Sequence, residues 1–359
     1  MERKLAWIAL NALPSLTRRR LDALLSALGS PEGILAASRE ELLGVLGPEI
    51  GARIYGEIQG VDPERELELV RKSGASVVTW EDEDYPRALF ELPDPPLVLY
   101  VLGEIVPKDE RAIAVVGTRR ATSYGRIVAK TLSRDLASRG ITVVSGMAPG
   151  IDTAAHKGAL EGGRTIAVLG TGLGKPYPAG NMRLMEEIAA RGAVISEFPW
   201  EREGSKWTFP RRNRIIAALS LGVVVVEAPA RSGALITAEI ALELGREVFA
   251  VPGPITSEVS RGTNRLIREG AKPVTGPDDI LEEFPHLAAP RTPGGAAVKL
   301  GPEEEKVYGV LGGEPLTAEE IARRTGLPYP TVARVLVELS LAGMVEEAPG
   351  GRFLRAGIG

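Results

Sequence analysis

The chain has 359 residues, 44% apolar and 25% charged, with a net charge of −4, no cysteine and only two histidines, His156 and His286. That balance fits a soluble globular protein of two or three domains, and it excludes disulfides, thiol nucleophiles and Cys- or His-rich metal centres; with no local Asp/Glu cluster for Mg²⁺ either, no metal and no cofactor is expected. No run approaches the ~18–20 apolar residues of a membrane span, and Met1-Glu2-Arg3-Lys4-Leu5 begins no signal peptide, so a cytoplasmic protein without membrane insertion is expected.

Residues 1–75 are predicted to form a small helical domain. Leu21, Leu24, Leu25 and Leu28 recur at i, i+3, i+4, i+7, and Leu42, Leu43, Leu46 and Ile50 make a second set. The turns at Leu13-Pro14-Ser15-Leu16 and Leu46-Gly47-Pro48-Glu49-Ile50-Gly51 leave two readings open. One is a pair of helix–hairpin–helix units on a phosphate backbone; the other is a SAM-like helical domain that contacts protein. Against the first, Ser15 stands where a hairpin glycine would help, and residues 1–80 are nearly neutral, with 10 Lys/Arg and 11 Asp/Glu. From Ala75 to Gly103 the chain is acidic and Pro-rich, yet too apolar at Leu97-Val98-Leu99-Tyr100-Val101 for a free linker. It reads as a lead-in that wraps onto the next domain.

Residues 76–284 read as an α/β core. β-branched runs at Ala112–Val116, Ile141–Ser145, Thr165–Leu169, Ala193–Ser196, Val223–Glu227 and Val248–Val251 alternate with helical stretches at about 123–139, 151–161, 179–190, 211–219, 232–244 and 261–269. Continuous apolar strands alternating with helices predict a parallel sheet covered on both faces, an extended Rossmann-like core. Residues 285–300 carry Pro285, Pro290, Pro293, Gly294 and Gly295 and read as a linker. Residues 301–359 then give a helix, a helix–turn–helix and a hairpin, the order of a winged helix. Thr317 with Glu320 three residues on has capping-box spacing.

Charge is unevenly spread. Residues 111–285 hold 23 Lys/Arg against 18 Asp/Glu, while residues 300–359 hold 6 against 9. The basic clusters lie in the core, where local field rather than whole-chain charge governs polyanion binding. Gly117-Thr118-Arg119-Arg120 follows the first core strand, at the carboxyl edge where open α/β sheets bind ligands. Neither a G-x-G-x-x-G fingerprint nor a Walker A lysine motif is present, and Arg119 and Arg120 put guanidinium groups where nucleotide enzymes place bare glycine. Ser145-Gly146-Met147-Ala148-Pro149-Gly150-Ile151-Asp152 follows the second strand, with Gly146 allowing backbone N–H groups to approach an anion. Asp152 reads as a helix cap. His156, the lone imidazole of the core, reads as a hydrogen-bonded structural residue, with general base as the other possibility.

A third Gly-rich loop runs through Leu169-Gly170-Thr171-Gly172-Leu173-Gly174, with Lys175 and Arg183 nearby. Lys206-Trp207-Thr208-Phe209-Pro210-Arg211-Arg212-Asn213-Arg214 mixes cations with aromatic rings, as unpaired nucleic acid requires: charge for the phosphates and ring faces for the bases. The bland alternative makes Trp207 and Phe209 core, with Arg214 turned inward onto Glu197 or Glu227. Thr331–Leu341, the candidate recognition helix, carries only Arg334 as a base, so protein contact suits the winged unit better than duplex reading.

Together these blocks resemble the DNA-processing protein A (DprA/Smf) family of bacteria. The resemblance is carried by Tyr85-Pro86, Asp94-Pro95-Pro96 and Leu99-Tyr100; by Val116-Gly117-Thr118-Arg119; by the Ser145–Asp152 block through Ala155-His156; by Tyr177-Pro178 and Ser196-Glu197; by Phe209 to Arg214; and by Val251-Pro252-Gly253 followed by Gly262-Thr263-Asn264-Arg265-Leu266-Ile267. The resemblance implies a helical N-terminal domain, a Rossmann-like core and a winged helix. It further implies a homodimer without catalytic turnover that binds and protects incoming single-stranded DNA and helps load the RecA recombinase during natural transformation. The residues expected to contact DNA are Gly117, Arg119, Arg120, Gly146, Lys175, Arg183, Lys206, Phe209, Arg211, Arg212 and Asn213. The rival reading is a phosphoribohydrolase-like nucleotide enzyme using Gly233, Thr237 and Glu239.

Overall fold

The structure is a computed structural model, and it describes residues 2–287, 301–311, 315–341, 345–348 and 351–355. Two compact units emerge, Met1–Leu287 and Ala288–Gly359. The linker expected over 285–300 lies, from residue 288 onward, outside the described residues.

Six short helices open the first unit: α1 (Arg3–Asn11), α2 (Arg18–Leu28), α3 (Pro31–Ala36), α4 (Arg39–Leu46), α5 (Pro48–Ile58) and α6 (Pro63–Lys72). Their ends follow local chemistry. Pro31, Pro48 and Pro63 each start a helix at the position where a missing N–H costs nothing, and Ser38 with Glu41 closes a capping box on α4. Trp7, Leu21, Leu24, Leu42 and Ile54 are buried in one cluster with Val98, Tyr100 and Val194 of the sheet, so the helices and the sheet share a core.

The sheet has nine strands: β1 (Ser76–Thr79), β2 (Val98–Gly103), β3 (Ala112–Val116), β4 (Thr142–Ser145), β5 (Thr165–Val168), β6 (Ala193–Ser196), β7 (Gly222–Val225), β8 (Glu247–Ala250) and β9 (Lys272–Pro273), in the order β1-β2-β6-β5-β4-β3-β7-β8-β9. From β6 to β9 all neighbours are parallel. The six sequence-predicted strands are present, shifted at their ends by up to two residues. The lead-in does more than wrap: it supplies β1 and β2, paired antiparallel to each other and to β6. No helix alternates with these two, so periodicity gave no parallel-strand signal for them.

Between the strands run α7 (Ser123–Ser138), α8 (Ile151–Gly162), α9 (Met182–Arg191), α10 (Thr208–Ala218), α11 (Gly233–Glu243) and α12 (Arg261–Arg268), and α13 (Pro277–Leu281) follows β9. The stretch expected as a helix from 179 begins instead with a 3-10 turn, Ala179–Asn181, before α9. All five residues of β3 are buried, and they alternate between faces. Ile113 and Val115 join the cluster under α7 and α8; Ala112, Ala114 and Val116 join the one under α10 and α11. This double burial is why the strand reads as an unbroken apolar run. The chain passes from β3 outward to β4, β5 and β6, then returns to lay β7 on the other side of β3. Such a reversal is the switch point at whose carboxyl edge open α/β sheets bind ligands.

The second unit contains α14 (Pro302–Val310), β10 (Leu316–Thr317), α15 (Ala318–Thr325), α16 (Tyr329–Leu341), β11 (Val345–Ala348) and β12 (Arg352–Arg355), with an antiparallel sheet ordered β10-β12-β11, a winged helix. Thr317 and Glu320 form the expected capping box. On α16, the guanidinium of Arg334 is tied to Glu338 and Glu303 at 2.7–2.9 Å.

Candidate nucleic-acid interface

Three loops leave the carboxyl edge of β3, β4 and β5, and α10 lies beside them. The loop after β3 is fixed from the neighbouring strand's end: Thr118 N–H donates to Glu227 O at 2.7 Å, and the Glu227 carboxylate accepts from Thr122 N–H at 2.9 Å and Thr122 Oγ1 at 2.5 Å. Thr122 in turn caps α7 through Gly125 N–H. Between these anchors Arg119 and Arg120 are exposed.

Arg119 leans across to α10. Its guanidinium carbon lies 4.9 Å from the ring centre of Phe209 and 5.9 Å from that of Tyr177, and the two rings are 5.4 Å apart. Sequence reasoning placed Arg119 and Phe209 in one site, and the structure brings them into contact. Tyr177 enters the sequence reading only through the Tyr177-Pro178 family block and not among the expected DNA contacts, although an aromatic ring in a Gly-rich loop beside basic residues is the signal that could have found it. Half-buried Phe209 packs its ring where a Cβ on Gly170 would stand, at 2.6 Å from Phe209 Cδ1, so glycine at 170 is what admits the ring. One turn earlier, Lys206 Nζ sits 5.0 Å over the Trp207 ring, and Trp207 is 73% exposed. Among the described residues, none of Arg119, Arg120, Lys175 and Lys206 forms an ion pair with a carboxylate, leaving their charge for solvent or a ligand.

The remaining expected contacts divide differently. Arg212 is buried, not surface-lying. Its Nη1 donates to Gly146 O at 2.6 Å and to Val168 O, at the ends of β4 and β5. A Cβ on Gly146 would fall 2.6–2.7 Å from that guanidinium, so glycine at 146 admits the close approach of Arg212. The expectation that Arg212 touches a polymer directly is therefore corrected to a supporting place beneath the loops. Apolar spacing on α10 puts it there: Arg212, Ile215 and Ile216 lie on the inward face. Arg211 is exposed but held by Glu197 at 3.2 Å and Asp94 at 3.5 Å, and Arg214 pairs with Glu197 at 2.5 Å. Half-buried Asn213 reaches across to the start of α11, with Nδ2 donating to the exposed Gly233 O at 3.2 Å. Arg183 projects from α9 with its side chain 91% exposed, paired to Glu187 one turn on. Lys175 is exposed on the third loop, and Gly117 sits half-buried at the end of β3.

Beneath this surface is a buried charged pair. Burial pushes the Asp152 carboxyl up to about 6, offset by the nearby Arg212 guanidinium, and pushes Arg212 down to about 10, offset by Asp152. Arg119 adds a like charge that lowers Arg212 further. Asp152 also accepts from Ala148 N–H at 3.3 Å, bracing the start of α8.

His156 is fully buried, and burial drives its imidazole down to about 3. Thr165 Oγ1 donates its proton to Val143 O, so the His156 Nδ1–H must donate to Thr165 Oγ1; Nε2 then accepts from Met147 N–H at 3.3 Å. Both nitrogens are thus committed to the fold, and the structural reading of His156 holds. Met147, at φ 60°, is pinned in this left-handed conformation by that bond and by Asn181 Nδ2 donating to its carbonyl. Among the described residues no cluster of His, Asp and Glu could hold a metal ion, and no helix is long and apolar enough to cross a membrane.

Residues 76–285 match the protein family described as DNA recombination-mediator protein A, and residues 290–351 match the DprA winged helix domain. The chain is 40% identical to the putative DNA processing protein DprA of Mycobacterium tuberculosis over 378 residues, covering 99% of this chain and 95% of the relative. It is 41% identical to protein Smf of Escherichia coli, covering 80% and 82%. Among solved structures, DNA processing protein A from Streptococcus pneumoniae superposes with a TM-score of 0.67 at 35% identity, over 77% of this chain and 96% of the other. DNA processing protein A from Helicobacter pylori, described for its unique single-stranded DNA binding mode, superposes with a TM-score of 0.54 at 32% identity, over 60% and 97%.

Proposed function

The chain belongs to the DNA recombination-mediator protein A family, and from that premise we propose that it binds single-stranded DNA across the surface built by Arg119, Tyr177, Lys206, Trp207 and Phe209. The observation that carries this reading is the Arg119 guanidinium resting on Phe209 and Tyr177 without a carboxylate partner. Cations without protein counter-charges release counterions from a phosphate backbone on binding. Exposed ring faces stack on bases, which only an unpaired strand can turn outward. A duplex hides those faces, so the same surface discriminates against it. Arg120 and Lys175 extend the cationic border, while Arg212, Asp152 and His156 hold the loops that carry it.

In this reading the protein acts by holding DNA, without catalytic turnover. No specific contact favours the phosphoribohydrolase alternative: Thr237 is buried in α11 and Glu239 is exposed on the same helix. The bound strand would be protected and passed to a RecA recombinase during natural transformation, by a homodimer in the cytoplasm. The winged unit suits protein contact, since Arg334 on α16 is already neutralised by Glu303 and Glu338. Anisotropy titration of labelled single-stranded and double-stranded oligonucleotides of equal length tests the reading. Preference for the single strand by at least about tenfold, ~1.4 kcal/mol, is expected. Equal binding of both forms would overturn it.

A further inference from the structure

A cleft of about 250 Å³ lies within the first unit, between the α1–α2 hairpin and the N-terminal end of α10. Its walls include Leu13, Leu16, Pro95 and Pro96, and it is lined by Arg18, Arg202 and Arg211 as well. Trp207 belongs to its lining and also to the cationic and aromatic surface described above, so cleft and surface are continuous. Of the three arginines, Arg202 is exposed and forms no ion pair among the described residues. Arg18 stacks over Trp80 and pairs with Asp22. Buried Glu197, with its side chain 3% exposed, also lines the cleft.

We propose that this cleft is a further nucleotide subsite, in which one base of a bound single strand inserts between the α1–α2 hairpin and Trp207 while its phosphate meets Arg202 and Arg211. The proposal rests on the single-strand reading above and extends it to the N-terminal helices. Three features favour a nucleotide over other occupants. Apolar walls of leucine and proline suit the faces of a base. The arginines suit its phosphate, with Arg202 unpaired and Arg211 able to exchange its 3.5 Å contact with Asp94 for a phosphate oxygen. Continuity with the exposed Trp207 face gives a strand a route in without a second binding event. A volume of about 250 Å³ is large enough to take a base.

Two exposed lining positions allow a test without disturbing the core: Arg202→Glu, which reverses the unpaired charge, and Pro14→Trp, which fills the mouth. Both are titrated against thymidine oligonucleotides of increasing length, with circular dichroism confirming the fold. The shortest oligonucleotide that binds should bind both variants as it binds the unaltered chain. Longer ones should bind the variants about tenfold more weakly, the value of one stacked base. An oligonucleotide carrying 2-aminopurine at successive positions should show one position whose emission changes on binding, and Pro14→Trp should abolish that change. Unchanged affinity at every length, or equal loss at every length, overturns the subsite. If no oligonucleotide binds the unaltered protein, the single-strand reading itself falls and the subsite with it, a result distinct from the other two.

Discussion

Replacing Arg119 with alanine separates binding from folding more cleanly than any other change at this surface. In the folded chain the guanidinium gains its cation–π contacts, 4.9 Å to Phe209 and 5.9 Å to Tyr177, and a coulombic attraction to Asp152; among the described residues it forms no salt bridge. Such contacts at an exposed site are worth about 0.5–1 kcal/mol. Against them stands repulsion with Arg212, whose guanidinium is lowered in part by Arg119. Loss of stability should therefore stay below about 1 kcal/mol. On the DNA side, a charge-assisted bond to phosphate is worth about 1.5–3 kcal/mol, or roughly 10- to 150-fold in Kd. Losing one phosphate contact should also make the slope of log K against log salt shallower by about 0.7. Anisotropy titrations at several salt concentrations, with urea unfolding of the same preparation, measure all three quantities. An unchanged Kd and salt slope would refute the assignment. So would a loss of binding matched by an equal loss of stability, since that would make Arg119 a structural residue.

Arg212→Ala should behave in the opposite manner, destabilising the first unit by about 3–5 kcal/mol because it strands buried Asp152 and two strand-end carbonyls; a variant with wild-type unfolding would contradict the buried placement. Phe209→Leu keeps an apolar side chain against Gly170 but removes the ring, and should weaken single-strand binding by about 1–3 kcal/mol with little change in unfolding midpoint. Asp152 gives a pH dependence. Its folded pKa, about 6, lies above the unfolded carboxyl range, so its stabilising contribution is full below about pH 3.8 and is lost as pH rises through 6. Ionisation above 6 also places a negative charge beneath the cationic loops. Affinity for single strands should fall between pH 5 and 7, roughly, and Asp152→Asn should flatten that profile; a variant that keeps the full fall would point to another group. His156, already neutral throughout that window with a value of about 3, does not contribute to it.

The alternation of buried strands and helices was fully legible, because burial on both faces writes itself as runs such as Ala112–Val116. Helix ends were legible where side chains close them, as Thr317 and Glu320 do. The family's residue blocks were legible as well, and with them the winged helix. β1 and β2 were not, since antiparallel edge strands in a Pro-rich stretch carry no βα period. Neither was the fate of each arginine in one short run. Arg214 turned inward onto Glu197 was one of the two pairings the sequence offered, but Arg211 and Arg212 share a chemistry that gives no direction, and only the rotation of α10 against the sheet sends the first to Glu197 and Asp94 and the second beneath Gly146.

By itself, the chain's order of residues determined a doubly covered parallel sheet, a winged helix and a basic carboxyl edge, because hydrophobic period, caps and charge are local properties. Tertiary structure alone decided which cations remain free for a ligand. Whether an arginine meets a carboxylate, a carbonyl or solvent depends on elements far apart in sequence, as when Arg119 after β3 comes to rest on Phe209 of α10.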